Sequence, residues 1–180
     1  ALEHAGMLSP RRGDGTYVRS ASMLAAPSAR CVPGRRRREL LSARQAVEAE
    51  AAAVAATGAD AAHVAELRLC LMRVEQALVD GELSAYVKDD MAFHDAVVAA
   101  SGNGLLIELH GGIVEVMQRM YPRGIDAPVA AGVRLPVYRE LGDAVAGGDP
   151  SAARAAVLAH FDTAHVDPAH ADPARRGLPG

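Results

Sequence analysis

Apolar residues recur along this chain at intervals of three and four, the repeat of one face of an α-helix. Val64, Leu67, Leu71, Val74 and Leu78 make one such stripe, and Asp60 stands where it can cap the helix that carries it. The same reading predicts a long helix from about Glu39 to Thr57, ended by Gly58, and a second from Asp60 to Asp80. A third is expected from about Ser84 to Ala100, stopping at Ser101-Gly102, and a fourth, capped by Asn103, to about Met120. Residues 121–132 show no period. A fifth helix is expected over Leu135 to Ala146, with Pro136 in its first turn and Gly147-Gly148 at its end. Asp149 then caps, and Pro150 opens, a last helix to about Ala164. Six helices with short connections imply an all-α fold, an antiparallel bundle.

The front of the chain breaks the pattern. Ala1 to Ala5 read as the last turn of a helix ended by Gly6. Met7 to Arg12, Gly13-Asp14-Gly15 and Thr16 to Arg19 read as strand, tight turn and strand. The expected organisation is therefore a helix end and hairpin over 1–19, a basic linker over 20–38, a helical domain over 39–165 and a disordered tail over 166–180, rich in Pro and Gly.

Composition narrows the function classes. Half of the 180 residues are hydrophobic, enough for a core, yet aromatics are 3% and Trp is absent. That argues against a carbohydrate cleft or a base-stacking platform. No apolar run approaches the length of a membrane span, and the first residues lack the apolar stretch of a secretory signal. Two cysteines, Cys31 and Cys70, make no disulfide framework and suit a reducing cytoplasm. The net charge of −3 conceals an asymmetry. Residues 1–38 hold eight Arg against Glu3 and Asp14, a balance of +6, which leaves −9 on the remainder. A basic front on an acidic body suggests a front that faces a polyanion.

The informative positions are polar groups on apolar stripes. Val87, Met91 and Val98 define the inward face of the third helix, and Asp90 and His94 sit within it, one turn apart. A buried carboxylate needs a partner. A divalent cation held by one oxygen and one imidazole nitrogen is one answer; an Asp–His hydrogen bond inside the core is the other. His160 shares a face with Ala153, Val157 and Phe161 and should also point inward. His4, His63, His110, His165 and His170 are weaker candidates; the face of His110, beside Gly111-Gly112, is undefined by the pattern. Arg44 and Glu48 read either as a surface pair one turn apart or as an inward Arg whose forked guanidinium holds an anion.

The order of these features resembles a known family. Leu2-Glu3-His4-Ala5-Gly6-Met7 followed by Gly13-Asp14-Gly15-Thr16-Tyr17-Val18 resembles the end of the recognition helix and the wing of a GntR-family winged helix-turn-helix. The body resembles the FadR-type effector-binding domain, the FCD domain. The matching segments are Leu41-Ser-Ala-Arg44-Gln-Ala-Val-Glu48, Asp90-Met-Ala-Phe93-His94, Ser101-Gly102-Asn103, and Asp143 to Pro150 leading to Ala159-His160-Phe161. Together they span most of residues 1–165.

The resemblance implies a bacterial transcription regulator, not an enzyme. It would be a cytoplasmic homodimer whose winged helix binds operator DNA and whose helical domain binds a small carboxylate effector. It implies a divalent metal (zinc, nickel or manganese) on Asp90, His94 and His160, with effector contacts from Arg44 and Tyr138. It also implies DNA contacts from the wing, at Arg11, Arg12, Gly13, Gly15 and Thr16. The family pattern has a further His in the fifth helix, and this chain has Tyr138 there. A phenol is a poor ligand unless ionised, so either three protein ligands and water hold the ion more weakly, with Tyr138 completing the site, or the site takes no metal and Tyr138 hydrogen-bonds Asp90 or the effector. Arg11 and Arg12 can touch backbone phosphates, but base readout needs the rest of the recognition helix, so this chain alone is expected to bind DNA weakly and with strong salt dependence. The competing reading is a metal-dependent enzyme on Asp90, His94 and His160; against it, the pattern offers no unassigned acid or base beside them.

Overall fold

A computed structural model describes residues 8–11, 15–18, 33–120 and 131–164. The expectations for the helix turn over 1–5, the turn 12–14, most of the linker, the stretch 121–130 and the tail lie outside the described residues. Within them the order is β1 (Leu8–Arg11), β2 (Gly15–Val18), α1 (Pro33–Gly58), α2 (Ala61–Asp80), α3 (Leu83–Ala100), α4 (Gly104–Met120), α5 (Ala131–Gly147) and α6 (Pro150–Ala164). β1 and β2 pair antiparallel, Leu8 opposite Val18 and Arg11 opposite Gly15, as the hairpin reading expects.

The helix ends follow local chemistry. Asp60 accepts from the His63 amide at 2.9 Å. Asn103 accepts from Leu105 and Leu106 at 3.1 and 3.3 Å, so it is a cap. Asp149 accepts from Ser151 and Ala152 at 3.0 and 2.9 Å. Each satisfies amides that a helix start leaves unpaired. Between α5 and α6 the chain turns at Gly148, which has φ +74° and lies against α1; a Cβ there would stand 3.5 Å from the Ala56 carbonyl oxygen.

Two starts differ from the sequence reading. α1 begins at Pro33 rather than near Glu39, so Arg35 to Arg38 belong to the helix and not to a linker. Pro suits a first helical position, whose N–H has no partner anyway, and Arg is a good helix former. α5 begins at Ala131, so Pro136 lies inside the helix instead of in its first turn, with one backbone hydrogen bond forgone.

α1 is the centre of the bundle. It packs on α3, α4, α5 and α6. A helix covered on so many sides has little room for long side chains, because these set the spacing between axes. Ala49, Ala51, Ala52, Ala53, Ala55 and Ala56 are accordingly all buried. α2 lies outside, on α3 and α5. Its deepest residues are Leu67, Cys70, Val74 and Ala77, while Val64, Leu71 and Leu78 flank them half-buried. The α3 face is centred on Tyr86, Asp90, Phe93, His94 and Val97; Val98 is buried as expected, but Val87 and Met91 are only half-buried. Both phenylalanines of the chain, Phe93 and Phe161, are buried. Each contributes about 2–3 kcal/mol relative to exposure. They pack beside the polar residues that occupy the middle of the core.

Candidate metal centre

Four helices bring charged side chains to the bundle centre. Arg44 and Glu48 come from α1, Asp90 and His94 from α3, His110 from α4 and His160 from α6, all buried. The helix repeat explains each placement. Arg44 and Glu48 share the stripe of Leu41, Ala52 and Ala55, and His160 shares that of Ala153, Val157 and Phe161.

Asp90, His94 and His160 each offer one ligand atom, and these atoms lie within 4.8 Å of one another. His94 Nε2 stands 3.1 Å from His160 Nε2 and 3.5 Å from Asp90 Oδ1. Ligands around a tetrahedral zinc are spaced by about 3.3 Å, from metal–ligand bonds of about 2.0–2.1 Å. The donor types and spacings therefore fit a divalent ion with a position left open. Tyr138 stands beside them, buried. Its hydroxyl donates to Asp90 Oδ1 and lies 3.1 Å from the Tyr86 hydroxyl. With its one proton committed to Asp90, it accepts from Tyr86. Burial, then the Asp90 charge, pushes the phenol well above its usual range, so it stays a neutral donor.

The other side of His94 meets Glu48, whose side chain is fully buried. His94 Nδ1 is 2.6 Å from Glu48 Oε2, an ion-pair approach. Glu48 Oε1 accepts from Arg44 Nε and from His110 Nε2 at 2.8 Å. The second ring nitrogen of His110 is 3.3 Å from Asp95 Oδ1, and Asp95 is exposed. Arg44 also stacks over Phe161, its guanidinium carbon 5.4 Å from the ring centroid. The pair is thus buried, not a surface pair.

The charges balance across this network. Burial works against the Glu48 carboxylate, yet Arg44, His94 and His110 together hold it well below the usual range. Burial likewise opposes the charge of Asp90, and the facing His94, then Arg44 and His160, hold it low. Burial would lower His94, but Glu48 and Asp90 outweigh it, and its pKa rises to about 9. His110 is raised too, by Asp95 and Glu48 against burial. Buried cations and anions are each other's partners here, which is the condition for keeping them in a core.

Of the residues singled out from sequence, the bundle brings together Arg44, Asp90, His94, Tyr138 and His160. Arg11, Gly15 and Thr16 lie in the hairpin, Thr16 opposite Pro10; Arg12 and Gly13 lie outside the described residues. Sequence reading did not assign Glu48, His110 or Tyr86 to the site. Glu48 carried a signal, since it falls on the stripe of Leu41 and Ala52. A groove of about 620 Å³ elsewhere runs between α5 and α6. It is lined by small residues with Glu140, Asp143 and Asp149 and no basic side chain, so it is a poor seat for an anion.

The comparisons agree with this architecture. The FCD domain pattern matches residues 39–163. The Uxu operon transcriptional regulator of Escherichia coli (strain K12) is 33% identical over 111 residues, 60% of this chain and 43% of that protein. The chain thus spans under half the length of that relative. The structure of Streptococcus agalactiae GntR superposes with a TM-score of 0.67 at 22% identity, covering 90% of this chain and 75% of that one. E. coli McbR/YncC gives 0.63 at 19% identity, over 89% and 72%. At such identities the two structures establish the fold alone. The chain belongs to the FCD-domain family. This membership sets aside the reading of Asp90, His94 and His160 as an enzyme centre. Among the described residues, no helix is long and apolar enough to cross a membrane.

Proposed function

We propose that this chain is the effector-sensing part of a metabolite-responsive transcription regulator acting in the bacterial cytoplasm. The helical domain binds a small organic acid, and binding alters how a homodimer holds operator DNA. The observation that carries the reading is the convergence of Asp90, His94 and His160, with Arg44 and Tyr138 beside them, in a core that apolar packing could otherwise fill. That the Escherichia coli relative is an operon regulator points the same way.

Asp90, His94 and His160 would hold one divalent ion; zinc or nickel suits two imidazoles and a carboxylate, and manganese is the harder alternative. The ion would supply a Lewis-acidic point for an effector carboxylate. Arg44 supplies positive charge from α1. Tyr138 orients Asp90 by hydrogen bonding one of its oxygens. The β1–β2 hairpin acts as the wing, with Arg11, Arg12, Gly13, Gly15 and Thr16 along the DNA backbone, contacts that position without reading sequence.

The test is thermal unfolding of the chain with a panel of three- to six-carbon hydroxy and keto acids, with and without zinc. The expected result is a saturable rise for at least one acid, lost in Arg44→Met and in His160→Ala. Elemental analysis should find about one ion per chain in the parent and none in His160→Ala. No rise with any acid at millimolar concentration would overturn the proposal.

A further inference from the structure

Asp95, His110, Glu48 and His94 form one continuous polar chain from the surface to the cluster. Asp95 is exposed; His110 and Glu48 are buried. The steps are 3.3 Å from Asp95 Oδ1 to His110 Nδ1, 2.8 Å from His110 Nε2 to Glu48 Oε1, and 2.6 Å from Glu48 Oε2 to His94 Nδ1. Three helices contribute, α1, α3 and α4, so no local turn chemistry accounts for it.

The chain acts on the tautomer of His94. Where an ion displaces the Nε2 proton of the charged ring, a carboxylate facing Nδ1 would keep the other proton there and leave Nε2, the atom turned toward Asp90 and His160, with its lone pair. An imidazole ligand whose other nitrogen is held by a carboxylate is fixed in orientation and made more basic. Glu48 in turn would be poorly fixed by His94 alone. Arg44 and His110 pin its other oxygen, which sets the direction in which Oε2 points.

We infer that Glu48 and His110 are positioning residues of the metal centre: Glu48 aims His94 Nε2 at the ion, and His110, braced on Asp95, aims Glu48. This rests on the metal reading of Asp90, His94 and His160. It concerns residues that never touch the ion.

The experiment titrates cobalt(II) into the metal-free chain and follows its visible absorption, with circular dichroism of every variant. Glu48→Gln should bind cobalt roughly ten- to hundredfold more weakly than the parent, the range for losing an outer partner of a metal-bound histidine. His110→Phe should weaken binding in the same sense. His110→Gln places an N–H donor near the position of Nε2 and should regain most of the parent affinity, a rescue that mere space-filling by the ring would not give. Parent-like cobalt affinity in a helical Glu48→Gln chain would overturn the inference and leave the metal reading intact. If Glu48→Gln loses its helical signal, the His110 pair decides, and equal affinity of His110→Phe and the parent overturns it. A parent that takes up no cobalt removes the metal reading and this inference with it.

Discussion

Tyr138 and Asp90 meet in the middle of the bundle, the phenol of α5 donating its proton to the carboxylate of α3. The contact ties together the residue that departs from the family pattern and the only carboxylate among the three clustered donors. Removing the donor while keeping the ring isolates its worth. Tyr138→Phe should destabilise the metal-free chain by about 1–3 kcal/mol, the cost of a buried group losing a charge-assisted partner, as measured by urea unfolding.

Restoring an imidazole at the same place should do the opposite to metal binding. Tyr138→His adds a nitrogen donor beside Asp90 and His160. Zinc affinity, read by competition with a chromophoric chelator, should rise at least tenfold over the parent, because a fourth protein ligand replaces a weakly held water.

The metal-free chain should lose stability as the pH rises from neutrality. His94 and His110 have folded pKa values above the ordinary value near 6.5. Their contribution is complete below that value and is lost as the pH passes through the folded ones, about 9 for His94. Glu48 and Asp90 are shifted downward, so their contribution is full above the ordinary carboxylate range and constant over this interval. The loss from His94 alone is on the order of 3 kcal/mol. Denaturant midpoints between pH 6 and 10 measure it, and His110→Gln should make the fall shallower.

Two Arg–Glu pairs provide a contrast in burial. Arg44→Met leaves the Glu48 charge in the core with one partner fewer and should cost about 3–5 kcal/mol. Arg154→Met removes a contact to Glu50 between two exposed side chains and should cost less than about 1 kcal/mol. Chemical denaturation of the two variants side by side checks the difference.

Gly148 should resist substitution. Its positive φ strains any residue with a Cβ, although the Ala56 carbonyl oxygen, 3.5 Å from where that atom would go, is at ordinary contact distance. Gly148→Ala should cost about 1 kcal/mol or more. Gly81 has a similar φ of +70° but open space around it, so Gly81→Ala should cost no more than Gly148→Ala.

Much of this was legible in the sequence because it depends on local chemistry. Asp60, Asn103 and Asp149 announce helix starts through their own side chains. Asp90, His94 and His160 stand out as polar residues among apolar neighbours. Glu48 was harder to read. Arg44 one turn away makes a plausible surface pair, and the alanines that follow suit a crowded interior and an exposed face equally well. His110 precedes two glycines, which have no side chain to declare a face. The early starts of α1 and α5 were hidden because Pro33 and Pro136 read as boundaries in isolation, whereas a helix accepts Pro at its beginning and tolerates it within at the loss of one bond.

Helix α1 joins two distant regions in a single rod. Glu48 lies ten residues from Arg38 on the same unbroken helix, about 15 Å along the axis. A tilt of roughly 4° pivoting at Glu48 carries the Arg38 end sideways by about 1 Å at that length. Between Glu48 and the arginine-rich end the helix has no break that would separate a shift of one from the other. α1 thus has the proportions of a lever arm, with Glu48 partway along it and Arg35 to Arg38 near its start.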